Sequence, residues 1–303
     1  VAALQGKVIA ITGAGRGIGR AIALLCAAEG ARIVVNDLGG DPHGDGGDAN
    51  AAQQVVDEIA ALGGVALANT ASIAEPAGAA TIIEDAVAKF GRIDAVVNNA
   101  GFLRDSIFHK MDIRDWDAVI DVHLSGYFYV SRAAAPHFRA QNSGSFVHFT
   151  STTGLIGTPG QANYGAAKAG IIGLSTAIAL DMQRFGARSN CVAPTAWTRL
   201  TDTVPADTDA RRGRIEKLKR LTPEKIAPLV AHLCSDAAID VTGQIFGVRG
   251  DEVFLYSRPS IVRTVHNSNG WNVQSCADTL MPALRPSFHP LAPTSEVIAW
   301  DPL

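Results

Sequence analysis

The chain has 303 residues, 47% hydrophobic and 18% charged, with a formal net charge of -3 and a pI near 6.2. This is enough to bury a full core as one large domain or one domain with an extension, and the slight acidity argues against a general nucleic-acid binder. Cys26, Cys191, Cys234 and Cys276 are scattered without metal spacing, no uninterrupted apolar run approaches a membrane span, and the first strand begins too early to leave room for a signal peptide, so no metal, no membrane and a cytoplasmic location are expected.

Residues 7–12 form a short apolar run that stops at Thr12-Gly13-Ala14-Gly15-Arg16-Gly17-Ile18-Gly19, and a helical apolar pattern follows from Ile18 to Ala28. Strand, glycine turn and helix open a dinucleotide-binding unit, in which glycines let a pyrophosphate approach the backbone at a helix N-terminus. A second strand, 32–36, ends at Asp37. A carboxylate there can accept both ribose hydroxyls of NAD and repels the 2′-phosphate of NADP. Residues 39–48 hold three aspartates and a histidine but lack the ligand offsets of a calcium loop, so they read as a flexible acidic loop beside the cofactor.

A helix near 49–62, a strand at 65–69 and a helix to Phe90 lead to an apolar strand closing on Asn98-Asn99-Ala100-Gly101. A long helical region, Asp112 to Ala140, contains His123, and the strand 144–151 delivers Ser151. Further strands are expected at 187–194 and 243–248, with a helix at 222–234 between them. Alternating strands and helices predict an α/β fold, a doubly wound parallel sheet with helices on both faces. Residues 211–220 carry six basic residues and one acidic residue, which suits either a solvated helix face or an electropositive rim for a phosphate-bearing substrate.

Tyr164 and Lys168 lie four residues apart on an expected helix, hence on one face. A phenol of ordinary pKa about 10 is a poor base at neutral pH, and a fixed cation nearby lowers it by favouring the phenolate. Ser151, thirteen residues before Tyr164, can donate a hydrogen bond to a carbonyl oxygen. Alone, a Tyr-x-x-x-Lys pair is an ordinary helix-surface feature. With the preceding hydroxyl, the glycine cluster spaced GxxxGxG and the Asn-Asn-Ala-Gly turn, it resembles the short-chain dehydrogenase/reductase family.

The resemblance implies a Rossmann-like oxidoreductase in which Ser151, Tyr164 and Lys168 are catalytic. It also implies a cofactor held by Gly13, Gly15, Arg16, Gly17, Ile18, Gly19, Asp37, Asn99, Ala100, Gly101, Tyr164, Lys168, Pro194 and Thr198. Arg16 stands where NADP-using relatives often carry a base; Asp37 outweighs it, and NAD is favoured. Ala71 and Ser72 align where relatives place an adenine-binding aspartate. His123 replaces a common active-site asparagine and is expected to carry a water, to relay the proton as an imidazole titrating near neutrality, or to be a satisfied helix histidine. Val-Val-Asn-Asp-Leu-Gly-Gly-Asp, Phe-Leu-Arg-Asp and Ile-Ala-Pro-Leu-Val point closer, to the (3R)-hydroxyacyl-CoA dehydrogenase units of multifunctional β-oxidation enzymes and their bacterial relatives. The expected substrate is then a CoA thioester, with a free steroid or terpenoid alcohol, or a non-catalytic dinucleotide-binding regulator, as alternatives. Residues 1–250 form the expected domain with a variable substrate lid at 199–221. Residues 251–303 form an extension packed on the domain or a neighbouring subunit, and a homodimer or homotetramer is expected through the two long helices.

Overall fold

Short runs rich in Val and Ile become strands here because helices cover both faces of the sheet, so no polar alternation is needed. The computed structural model describes residues 2–41, 43–48, 50–198 and 215–300. In chain order it contains β1 (Val8–Thr12), α1 (Gly17–Ala28), β2 (Arg32–Asn36), α2 (Asn50–Ala61), β3 (Val65–Asn69), α3 (Pro76–Phe90) and β4 (Ala95–Asn98). Then come α4 (Ile113–Ile120), α5 (Gly126–Gln141), β5 (Gly144–Phe149), α6 (Thr152–Leu155), α7 (Ala162–Met182), β6 (Ala187–Thr195), α8 (Ala227–Cys234), β7 (Ile245–Arg249) and β8 (Glu252–Leu255).

The sheet order is β3-β2-β1-β4-β5-β6-β7-β8, parallel throughout except for the antiparallel β7/β8 pair. Alternate residues of β1 serve two cores. Ile9 and Ile11 pack with Ile22 of α1, Val55 of α2 and Val230 of α8, whereas Val8 and Ala10 pack with Ile82 of α3, Val130 of α5 and Ile171 of α7. Each such aliphatic side chain taken fully out of water contributes about 1.5–3 kcal/mol. The strand order reverses between β1 and β4, which leaves a crevice at their C-terminal ends.

Three features depart from the sequence reading. The sheet does not end at β7: Gly250 (φ +64) and Asp251 make a two-residue turn that pairs Arg249 with Glu252 and adds β8. The run Ala162–Phe185 is long and apolar enough, as a folded helix, to cross a membrane, although Lys168, Asp181 and Arg184 interrupt its sequence. In this fold it lies on the sheet, burying Ala167, Ile171, Ser175 and Ala179. The long helical region is also not uniform, because a π-turn at Asp121–Ser125 joins α4 to α5 and buries His123.

Described residues after β8 bond back to earlier parts of the chain. Thr294 N–H donates to Gly157 O at 2.9 Å, and the Arg249 guanidinium donates to Trp300 O at 2.7 Å while lying 4.8 Å from the Trp300 ring centroid. Most of the expected lid, 199–214, lies outside the described residues. Of the basic segment, Lys219 pairs with Glu216 at 2.9 Å, and Leu221 accepts from Trp197 N–H at 2.6 Å.

Candidate active site

At the C-terminal ends of β1, β2 and β4 lies a cleft of about 600 Å³, within the range of small-molecule and cofactor sites. Its wall includes Gly13, Gly15, Arg16, Gly17, Ile18, Asp37, Ala71, Ser72, Asn99, Ala100, Gly101 and Thr198. Gly19 and Pro194 are not on that wall. Gly19 packs beneath the turn, where a Cβ would stand 2.2 Å from Gly13 O, and Pro194 sits in β6 opposite Val248. Asn99 joins two segments far apart in the chain, its amide donating to Thr12 O and Gly13 O at 3.0 Å each. A Cβ at Gly13 would lie 2.6 Å from Ala100 Cα, so the close contact between glycine turn and asparagine turn requires glycine.

Asp37 accepts from Gly15 N–H at 2.8 Å and from Gly39 N–H at 2.7 Å, which holds its carboxylate against the glycine turn. Arg16 turns to Asp48, Nη2 to Oδ2 at 3.1 Å. Ala71 has both backbone groups engaged, N–H to Asn69 Oδ1 at 3.0 Å and carbonyl from Asn36 Nδ2 at 2.9 Å. The Ser72 hydroxyl accepts from Ala74 N–H at 3.2 Å and keeps its own proton as a donor.

Beyond Gly101 the cleft meets a second cluster. Ser151 follows β5 as N-cap of α6, its Oγ accepting from Thr153 N–H at 3.1 Å, and its hydroxyl lies near enough to the Tyr164 phenol to draw that group's pKa down. Helix α7 presents Tyr164 and Lys168 one turn apart and is pinned to the end of β5 by Thr150 Oγ1 donating to Lys168 O at 2.7 Å. Lys168 Nζ donates to Phe149 O at 2.6 Å and to Tyr127 Oη at 3.3 Å, and Tyr127 Oη donates to Ala100 O at 3.1 Å. The lysine is thus linked to the cleft wall through Tyr127. Asn163 orients the start of α7: its Oδ1 accepts from Tyr164 N–H at 2.7 Å, and its amide donates to Arg104 O at 3.0 Å and Asp115 O at 3.2 Å.

The expected depression of the phenol by the lysine is not what this arrangement gives. Burial pushes Tyr164 up to about 12; the nearby Ser151 hydroxyl draws it down and the Asp105 carboxylate pushes it further up. Burial likewise pushes Lys168 down to about 7. The ammonium lies 5.5 Å from the Tyr164 ring centroid, and loss of hydration outweighs mutual influence at that separation.

A relay through a titrating imidazole is also corrected. His123 is buried and held well below the ordinary histidine range, first by burial and then by Lys168, so it is neutral at neutral pH. Its Nε2 lies 2.8 Å from Phe102 O and 3.1 Å from Phe102 N. The shorter contact assigns the proton to Nε2, which donates to the carbonyl and leaves Nδ1 as a lone-pair acceptor. The ring meets Tyr164 edge-on, centroids 5.2 Å apart. Tyr127 and Asn163 were missed from sequence. The available signals were slight: Tyr127 lies one turn after His123, and Asn163 directly precedes Tyr164.

Residues 13–250 match the family model adh_short_C2, described as enoyl-(acyl carrier protein) reductase. Over 251 residues, 82% of this chain and 84% of the relative, the sequence is 48% identical to Rv0148 of Mycobacterium tuberculosis (strain ATCC 25618 / H37Rv), named as a short-chain type dehydrogenase/reductase. The chain belongs to the short-chain dehydrogenase/reductase family. This short-chain dehydrogenase/reductase is also 39% identical to the hydroxyacyl-CoA dehydrogenase ChsB1 of the same organism, over 91% of this chain and 88% of that one. It is 45% identical to the peroxisomal multifunctional enzyme type 2 of Mus musculus, across 80% of this chain but only 32% of that protein's length. The crystal structure of a short chain dehydrogenase from Mycobacterium avium superposes with a TM-score of 0.83 at 40% identity, covering 96% of this chain and 98% of that one. The resemblance to the multifunctional-enzyme branch therefore extends beyond the few motifs that suggested it. The cleft fits the nicotinamide dinucleotide of this fold: a glycine turn too tight for a Cβ at Gly13, Gly15 or Gly19, a carboxylate beside it and a polar cluster at its far end.

Proposed function

We propose that this short-chain dehydrogenase/reductase interconverts a secondary alcohol and its ketone with NAD, and that its substrate is a 3-hydroxyacyl-CoA or related CoA thioester. The observation that carries the chemistry is the cluster of half-buried Ser151 and Tyr164 with buried Lys168, adjoining the dinucleotide cleft through Tyr127 and Ala100. When bound, the nicotinamide supplies the carbon that gives or takes hydride. In the ketone-reducing direction Tyr164, a neutral phenol at pH 7, donates its proton to the carbonyl oxygen. In oxidation the same oxygen takes the hydroxyl proton, favoured when Lys168 is protonated beside it. Ser151 donates a hydrogen bond to the developing alkoxide. Gly13, Gly15, Gly17 and Asp37 would hold the adenosine and pyrophosphate end, and Asn99, Ala100, Gly101 and Thr198 the nicotinamide end.

NAD is supported over NADP by Asp37 on the cleft wall and by the engagement of Arg16 with Asp48. The CoA thioester is supported by the kinship with ChsB1 and by the basic run 211–220. A homodimer or homotetramer through the two long helices is supported by apolar side chains exposed on them, Ile113 at 76%, Phe128 at 46% and Leu180 at 68%. We read residues 1–250 as the dehydrogenase unit and 251–303 as its extension.

The substrate is tested with a matched pair, a 3-ketoacyl-CoA and the same ketone as a simple ester, each reduced with NADH. A kcat/KM larger by about a hundredfold for the CoA form is expected, equivalent to about 2.7 kcal/mol of transition-state stabilisation from the handle. Equal values, or reaction of the ester alone, would move the substrate to a free steroid, terpenoid or aryl ketone.

A further inference from the structure

The acidic strap after β2, described at residues 39–41 and 43–48, is fixed at both ends. Toward its middle, Arg104 binds Asp45 Oδ1 through Nη2 and His43 O through Nε, each at 2.9 Å, while its guanidinium lies 5.3 Å from the Phe102 ring centroid. At its end, Asp48 N–H donates to Gly39 O at 3.1 Å, and the two segments are so close that a Cβ at Gly39 would stand 2.2 Å from Asp48 backbone atoms. The Asp48 carboxylate is then divided between two tasks. Oδ1 accepts from Asn50 N–H at 3.0 Å at the start of α2, and Oδ2 accepts from Arg16 Nη2 at 3.1 Å.

Two arginines belong to the described cleft wall, Arg16 and Arg20, and each is paired with a carboxylate, Asp48 and Glu58 respectively. Asp37 is on the same wall. A phosphate entering there meets the Asp37 carboxylate charge, held only by backbone N–H groups, and guanidinium groups already engaged.

We propose that Asp48 is a specificity-determining residue that excludes a 2′-phosphorylated dinucleotide by holding the Arg16 guanidinium and adding its own negative charge beside it. The proposal rests on the reading that this cleft takes a nicotinamide dinucleotide. Arg16 and Asp48 keep side-chain exposures of 36% and 42%, so their pairing adds little to fold stability. Its effect is competitive: a 2′-phosphate must displace Asp48 to reach Arg16. Asp37 discriminates by its own charge; Asp48 acts through the arginine.

The test is direct calorimetric binding of NADH and NADPH to the parent, D48N, R16Q and D48N/R16Q. Asparagine keeps the acceptor for Asn50 N–H and removes the charge, and D48S, which also keeps an acceptor, serves as a second variant. In D48N the ratio of NADPH to NADH affinity is expected to rise by about tenfold, and in the R16Q background the same change is expected to raise it by less than about threefold. A ratio in folded D48N and D48S equal to the parent's, or a gain of the same size in the R16Q background, overturns the proposal. A parent that prefers NADPH overturns it while leaving the dinucleotide reading intact. A parent that binds neither overturns both.

Discussion

Replacement of Tyr164 by phenylalanine is expected to lower kcat by about 10³-fold, the scale of a lost general acid or base, while leaving NADH binding nearly intact. The phenol is the group in the cluster placed to move a proton: it is half-buried, lies beside Ser151 and is pushed up to about 12, so at neutral pH it carries its proton. Phenylalanine keeps the ring that meets His123 edge-on and leaves the Asn163 bond to the residue-164 backbone untouched. The fold should therefore survive, with a stability change of about 1 kcal/mol or less. Steady-state turnover and a fluorescence titration of NADH, made on the same preparation, separate chemistry from binding. Residual turnover within about tenfold of the parent would show that another group moves the proton.

The second large effect is expected from Lys168→Met. Burial holds the ammonium at about 7 against an ordinary 10.5, so the folded state disfavours its charge. Between those two values the unfolded chain binds more protons than the folded one, and the lysine contributes a stability that rises with pH. Below about 7 both states are protonated and the cost of the buried charge is present in full. Tyr164, raised from 10.0 to about 12, and Cys191, raised from 9.0 to about 11, act with the opposite sign above their ordinary values. The difference between parent and variant isolates the lysine. K168M is expected to melt at least about 3 °C higher than the parent at pH 7, with the gap closing as pH rises toward 9. Turnover should fall by about 10²-fold or more, because the phenolate form of Tyr164 loses its neighbouring cation. Melting curves of both proteins from pH 6 to 9 check this, and parallel curves would show that the lysine is not held against its charge.

Much of the fold was legible because its signals are local. The apolar runs at 8–12, 32–36 and 95–98 are bounded by glycine or asparagine turns, and that punctuation gives strand ends directly. The glycine turn and Asn99 were assigned to one site through the family resemblance, and the sheet shows that both end strands that flank its reversal. β8 was missed because it has four residues, alternates between half-buried and exposed at a sheet edge, and depends on a turn at Gly250. The charge state of the site was not legible either. Spacing placed Lys168 beside Tyr164, but only the packed structure shows Lys168 removed from water and Tyr164 partly so, with the ammonium turned to Phe149 O and Tyr127. His123 failed as a titrating relay for the same reason, since desolvation depends on neighbours that come from α5, α7 and the turn after β4.

The most direct test is a single turnover, in which the protein with bound NADH is mixed with excess 3-ketoacyl-CoA while NADH loss and product are followed together. One 3-hydroxyacyl-CoA formed for each NADH consumed is the expected result. NADH that binds tightly yet is not oxidised by the CoA thioester, its simple ester or a panel of steroid, terpenoid and aryl ketones would contradict an alcohol–ketone oxidoreductase and leave a dinucleotide-binding regulator.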